Sequence, residues 1–210
     1  MACYTVVRII VLILSIVALA FAVIGVFVPF LVVPASKQNE LDALNMTVRS
    51  PSFDISKDAA TLQKFSQLAG SPPAKSTMTL WKLKYGNARD GTTTVDLRDE
   101  YFSCYAGNML IQAAEGVAVV TCVLGVANLI LSAFTFTFAA VVKFPLALYF
   151  FLSGAAAAVT FGIMLNLYLH GWCGDASMKS SYWDLTAGFA FYVISCVLSL
   201  VASVLTMFID

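Results

Sequence analysis

Charge is what this chain most lacks. Of its 210 residues only 11% are Asp, Glu, Lys or Arg, where a soluble domain carries roughly a quarter. The few charges are also segregated: of twelve Lys and Arg, only Arg8, Lys143 and Lys179 lie outside the stretch from Lys37 to Arg98. A soluble globular domain is thereby excluded. The formal net charge of zero averages over two environments. No basic tract or tail is present, and no nucleic-acid partner is expected. Histidine is nearly absent as well. One histidine, His170, cannot build a usual zinc site, and the five cysteines show no CxxC spacing. A Cys104/His170 thiol dyad would need an orienting third group, and none can be singled out. There is no glycine-rich phosphate loop, nucleophile elbow or paired-carboxylate signature. The sequence therefore predicts no catalytic residue, no metal site and no cofactor.

What is present is apolar length. Hydrophobic residues make up 60% of the chain, and the mean hydropathy is +0.87. Four runs are long enough to cross a hydrocarbon core about 30 Å thick, which takes roughly 20 helical residues. They lie near 6–33, 109–136, 144–169 and 185–208. Backbone groups in lipid must be satisfied within each segment, so each run is predicted to be a helix, the strand-like "FTFTF" at 134–138 included. The fold class expected is an all-α four-helix transmembrane bundle carrying a small α+β domain in its first loop. That loop spans 34–108, a short connection spans 137–143 and a second outer loop spans 170–184. The first run is about twice as long as the apolar core of a signal peptide and has only Arg8 as a basic residue near its start, so it is read as an uncleaved span.

An even number of spans puts both termini on one side and the two outer loops on the other. Arg8 and Lys143 weakly mark the terminal side as cytosolic. Asn45-Met46-Thr47 is the chain's glycosylation sequon and sits in the long loop, which favours an exterior or lumenal loop with a glycan on Asn45. Within that loop, residues 54–73 carry Ile55, Ala59, Leu62, Phe65 and Ala69 at helical spacing, with Asp54 as cap and Gly70 and Pro72-Pro73 as stop. Residues 77–85 and 92–97 read as a hairpin with Asp90-Gly91 in its turn. Trp81, among strand residues, is expected to pack inside the sheet.

Small residues recur every four positions in the spans: Ala114, Ala118 and Cys122; Gly154, Ala158 and Gly162; Ser195, Ser199 and Ser203. Such spacing lets helix backbones approach closely in lipid. Its first reading is packing within one molecule, its second a face for another copy. Cys3, Cys122 and Cys196 fall within or beside spans, so Cys104 and Cys173 form the one disulfide expected on the exterior side. Such a bridge would join the outer ends of the second and third spans. Glu115 lies inside the second run, about 10 Å from its start at 1.5 Å per residue. A carboxylate there sits near the positive end of the helix. With Gln112, Asn166 and His170 it forms an expected buried polar network; its alternative is an ion or proton pathway. The inner halves of the spans offer no further ionisable groups, which favours architecture.

Several of these features together resemble one family. A large first outer loop, a short second one, Thr79-Leu80-Trp81, the later loop cysteine Cys104 and the helix start Gln112-Ala113-Ala114-Glu115 look like the amastins, four-span surface glycoproteins of trypanosomatid parasites with a claudin-like plan. The sequence also departs from the family pattern. Thr77 stands where a first cysteine is expected, Lys82 replaces the glycine after Trp, and no cysteine closes the motif after Lys84. The resemblance implies a non-enzymatic protein of the plasma membrane whose outer domain makes contacts at the host–parasite interface or organises the membrane. Its expected partners are the lipid bilayer and either a second copy or another membrane or surface protein. A transporter component using Glu115, or an accessory subunit in the mitochondrial inner or another organellar membrane, are the competing expectations.

Overall fold

The computed structural model describes residues 2–34, 76–87, 91–97, 104–172, 178–179 and 183–209. Asn45, the helix expected over 54–73, the turn residue Asp90 and Cys173 lie outside the described residues. Helix α1 (Ala2–Phe27) comes first. It stops two residues before Pro29, which has no N–H to donate and pushes the preceding residue out of helical geometry. The chain then enters strand β1 (Leu31–Val32). Strands β2 (Thr77–Met78), β3 (Lys82–Asn87) and β4 (Gly91–Asp96) follow. Helix α2 (Tyr105–His170), strand β5 (Asp184–Leu185) and helix α3 (Ala187–Thr206) complete the described elements.

The five strands form one antiparallel sheet in the order β4-β3-β2-β1-β5. Leu31 pairs with Met78 on one side and with Leu185 on the other, and β3 pairs with β4 from Lys82↔Asp96 to Asn87↔Gly91. The predicted turn between β3 and β4 is therefore present, but the single strand expected over 77–85 is broken at residues 79–81 into antiparallel β2 and β3. The sheet is extended further by β1 and β5, which sequence pattern did not reveal. Those two are only two residues long, and they are the continuations of membrane helices: β1 follows α1, and β5 leads into α3.

Among the described residues three helices are long and apolar enough to cross a membrane, where four were expected. The reason is α2. The segment expected as a short loop at 137–143 is helical except at Phe138, whose φ of −131° and ψ of 48° interrupt an otherwise continuous run of 66 residues. Pro145 lies seven residues beyond the break and is accommodated inside the helix. A straight helix of that length would measure about 100 Å, roughly three times the hydrocarbon core. Yet Ile111 and Leu167, near its two ends, belong to one buried cluster. On a straight helix they would stand more than about 80 Å apart. The chain thus doubles back at Phe138, giving a first arm (105–137) and a second arm (139–170).

Each helical segment buries a seam that alternates steps of three and four residues. In α1 it is Val11, Ser15, Ala18, Ala22 and Gly25. The first arm buries Ile111, Ala114, Ala118, Thr121, Gly125, Asn128, Ser132 and Thr135, and the second buries Leu146, Phe150, Ser153, Ala157, Thr160, Met164 and Leu167. In α3 the seam is Gly188, Tyr192, Ser195, Ser199, Ala202 and Thr206. This mean spacing of 3.5 is that of helices crossing at a shallow angle with interlocked side chains. It corrects the four-residue repeat read from sequence. Cys122, Ala158 and Ser203 sit at the edges of the seams, and Gly162 is exposed, with nothing beyond its own helix backbone and chain neighbours within 4 Å of where a Cβ would stand.

Candidate functional site

Among the described residues, those singled out from sequence gather where the sheet meets the helix ends. Thr79, Leu80 and Trp81 make the connection from β2 to β3. Met78 pairs with Leu83, so the strands are joined through Thr79 and Lys82 with Leu80 and Trp81 at the tip. Thr79 closes this tip three ways. Its N–H donates to the Lys82 carbonyl at 2.9 Å, its hydroxyl donates to the same carbonyl at 2.9 Å, and that hydroxyl accepts the Lys82 N–H at 3.0 Å. A two-residue tip without glycine has its backbone groups held by a threonine side chain. Leu80 is fully buried, and half-buried Trp81 packs against the same cluster while its carbonyl accepts the Leu97 N–H at 3.2 Å.

Below the tip lies the helix start. Cys104 caps α2 with its sulfur, which accepts the Gly107 N–H at 3.2 Å. Cys104 is itself disulfide-bonded, and its partner lies outside the described side chains. Along the next turns, the four residues Gln112, Ala113, Ala114 and Glu115 divide by helical periodicity. Ala114 and Glu115 face inward and are buried, Glu115 being 1% exposed; Gln112 and Ala113 face outward. The Gln112 amide donates to Asn108 Oδ1 one turn back, at 3.4 Å.

The expected polar network is accordingly distributed differently. Of Gln112, Glu115, Asn166 and His170, only Glu115 is buried. Asn166 Oδ1 accepts the indole N–H of Trp172 at 3.1 Å, which satisfies the polar end of a buried tryptophan. His170 is the last residue of α2, exposed, and followed by Gly171, which ends the helix at a positive φ of 68° with its N–H on the Leu167 carbonyl. The physical reason is a matter of phase. Residues 166 and 170 lie one turn apart on the outer side of the second arm, whereas its seam runs through Met164 and Leu167.

What binds the sheet to the helices is a single apolar cluster. Phe30, Leu31, Met78, Leu80, Leu83 and Leu97 from the sheet side join Ile111, Ala114, Ala118, Met164, Leu167 and Trp172 from α2. Among the described residues the sheet has no core separate from this cluster. Backbone contacts at the α3 start lock the joint: Gly188 N–H donates to the Pro29 carbonyl at 3.1 Å, the Thr186 hydroxyl donates to that same carbonyl, and the Thr186 N–H donates to Phe30 O at 3.0 Å. Gly188 is required there, because a Cβ would come within 2.6 Å of the Val28 and Pro29 carbonyl oxygens. No sequence pattern singles out this glycine, although it stands as the second residue of α3, directly before Phe189 in "TAGFAF".

This is the part of the chain that family comparison picks out. Residues 59–206 match the amastin surface glycoprotein family. The chain belongs to that family. Among curated proteins none matches it. In this amastin the motif residues are chiefly structural: Thr79 closes a turn, Leu80 and Ala114 fill the joint, Glu115 is buried beside Ala114, and Trp81 covers the rim. It is a membrane protein of a surface glycoprotein family, with long apolar helices and a sheet fused to one end of them.

Proposed function

We propose that this amastin is a non-enzymatic, multi-pass glycoprotein of the plasma membrane, whose outer domain makes the contacts by which it works. In this reading both arms of α2 cross the bilayer, giving four crossings, with the sheet outside and Phe138 at the cytosolic rim. The observation that carries it is the shared cluster. The family's motif residues Leu80 and Ala114 are used to seat a domain rigidly on the helix ends, and such a seat suits presentation of an outer surface. The doubling back of α2 supports the four crossings, since neither arm can lie outside the apolar seams of α1 and α3. Cys173 is assigned as the partner of Cys104. Cys122 and Cys196 carry free thiols, and Cys3 belongs to the far end of α1 from the sheet. The bridge would tie the outer ends of the two arms and close a loop of about seventy residues, worth roughly 4 kcal/mol in the chain-entropy model.

The test is surface labelling of intact cells expressing the tagged chain, with and without glycosidase. The expected result is labelled protein whose mobility rises on deglycosylation and does so no longer in Asn45→Gln, with a C-terminal tag stained only after permeabilisation. Organellar location with unmodified Asn45 and free thiols at Cys104 would replace this reading by that of an organellar accessory subunit. Glu115→Gln separates the transport reading: a folded, surface-delivered variant that has lost an ion flux shown by the wild type in liposomes would overturn the structural role.

A further inference from the structure

We infer that the helices enclose a water-binding site well below the sheet, built by Ser15 of α1 and Asn128 of the first arm. Both residues are almost wholly buried, Ser15 at 1% and Asn128 at 2% exposure. Ser15 Oγ and Asn128 Oδ1 are each buried without a hydrogen-bond partner. Buried polar atoms in folded proteins are paired almost without exception, so two orphans on facing seams point to a shared ligand.

Their juxtaposition follows from the packing. Leu19 lies against Gly125, whose Cβ position is 2.9 Å from Leu19 Cδ1 and 3.7 Å from its Cα. The two segments run in opposite directions, Val26 meeting the cluster that holds Ala118, and Val11 the one that Leu131 borders. Ser15 is one turn inward from Leu19, and Asn128 is one turn inward from Gly125, so they stand level across the same interface. α3 closes the other side: Ser195 Oγ donates to Ala18 O at 3.0 Å, and buried Ser199 follows one turn deeper.

The chemistry of the orphans selects the ligand. Several buried hydroxyls on these helices satisfy themselves by donating to a carbonyl four residues back, as Thr121 does to Val117 at 2.9 Å and Thr206 to Ala202 at 2.7 Å. Ser15 does not follow them. Asn128 Oδ1 only accepts, so no carbonyl can serve it, and helix N–H groups are already used by the backbone ladder. It needs a donor. Water is the small group that can donate to Asn128 Oδ1 while accepting from, or donating to, Ser15 Oγ. A cation is disfavoured because the nearest acidic residue on the first arm, Glu115, lies about 20 Å along the helix.

The test is water-edited solid-state NMR on the full chain, reconstituted in lipid and with labelled asparagine and glycine. The expected result is a water contact at the Asn128 side-chain amide but none at the Gly125 backbone, and loss of that contact in Ser15→Ala. Two results would overturn the inference. No water contact at Asn128, with coupled melting shifts for Ser15→Ala and Asn128→Leu, would mean a direct Ser15–Asn128 bond. No contact with additive shifts would mean that the two residues act separately.

Discussion

The joint between sheet and helices and the interior of the helical segments are both buried, yet they are filled by opposite kinds of residue. The joint holds large apolar side chains: Phe30, Leu31, Met78, Leu80, Leu83, Leu97 and Trp172. The seams below it are dominated by Ala, Gly, Ser and Thr, and large apolar residues such as Val123, Ile130 and Phe134 are on the outside. In the proposed arrangement the sheet faces water, so removing apolar surface from water drives its burial. Lipid tails are as apolar as leucine, so that drive vanishes between membrane helices, and close backbone approach with interhelical hydrogen bonds takes its place. One chain therefore uses two packing rules, and the change of rule falls within α2, between Ile111 and Thr121.

Variants chosen from each side can break this contrast. The largest effect is expected from Leu80→Ala, which empties a fully buried position of the joint. About 2–5 kcal/mol should be lost, read as a lower melting temperature in detergent and retention inside the cell. Next is Gly188→Ala, whose new Cβ would meet two backbone carbonyls at 2.6 Å. Backbone cannot step aside as a side chain can, so about 1–3 kcal/mol is expected, whereas a neutral result would show that the α3 start is free to shift. Ser195→Ala removes a seam hydrogen bond to Ala18. Such bonds in lipid average about 0.6 kcal/mol, and a loss as large as that of Leu80→Ala would erase the distinction between the two interiors. The smallest effect is expected for Val123→Ala, on a residue 63% exposed on the outside of the first arm. Away from any packed feature it should stay within about 0.5 kcal/mol. A larger destabilisation, or a change in apparent size in detergent, would mean that this face is covered by another protein.

Much of this was legible in the order of residues. Apolar length located α1, α3 and the two arms of α2, because hydropathy over twenty residues does not depend on what packs against it. Turn residues and β-branched runs located the β3–β4 hairpin. The motif Thr79-Leu80-Trp81 and the Gln112–Glu115 helix start pointed to the right family. The two-residue strands β1 and β5 carried no such signal, since their pairing partners lie dozens of residues away. The seam phase was misread by one step in seven, for a repeat of four and a repeat of 3.5 agree over two turns and then diverge. That divergence put Gly162 outside the bundle and Asn166 beside Trp172. Asn128 was visible in the apolar run "GVANLIL", but only its facing residue, Ser15, gives it meaning.

From sequence alone came the membrane class and the family, because each rests on composition or on short contiguous motifs. Tertiary structure alone decided that α2 turns at Phe138 rather than through an open loop, and that the sheet shares its core with the helices. It also decided which polar residues are enclosed. Those outcomes depend on which faces meet, and facing residues such as Leu31 and Met78, or Ser15 and Asn128, are brought together only when the chain folds back on itself.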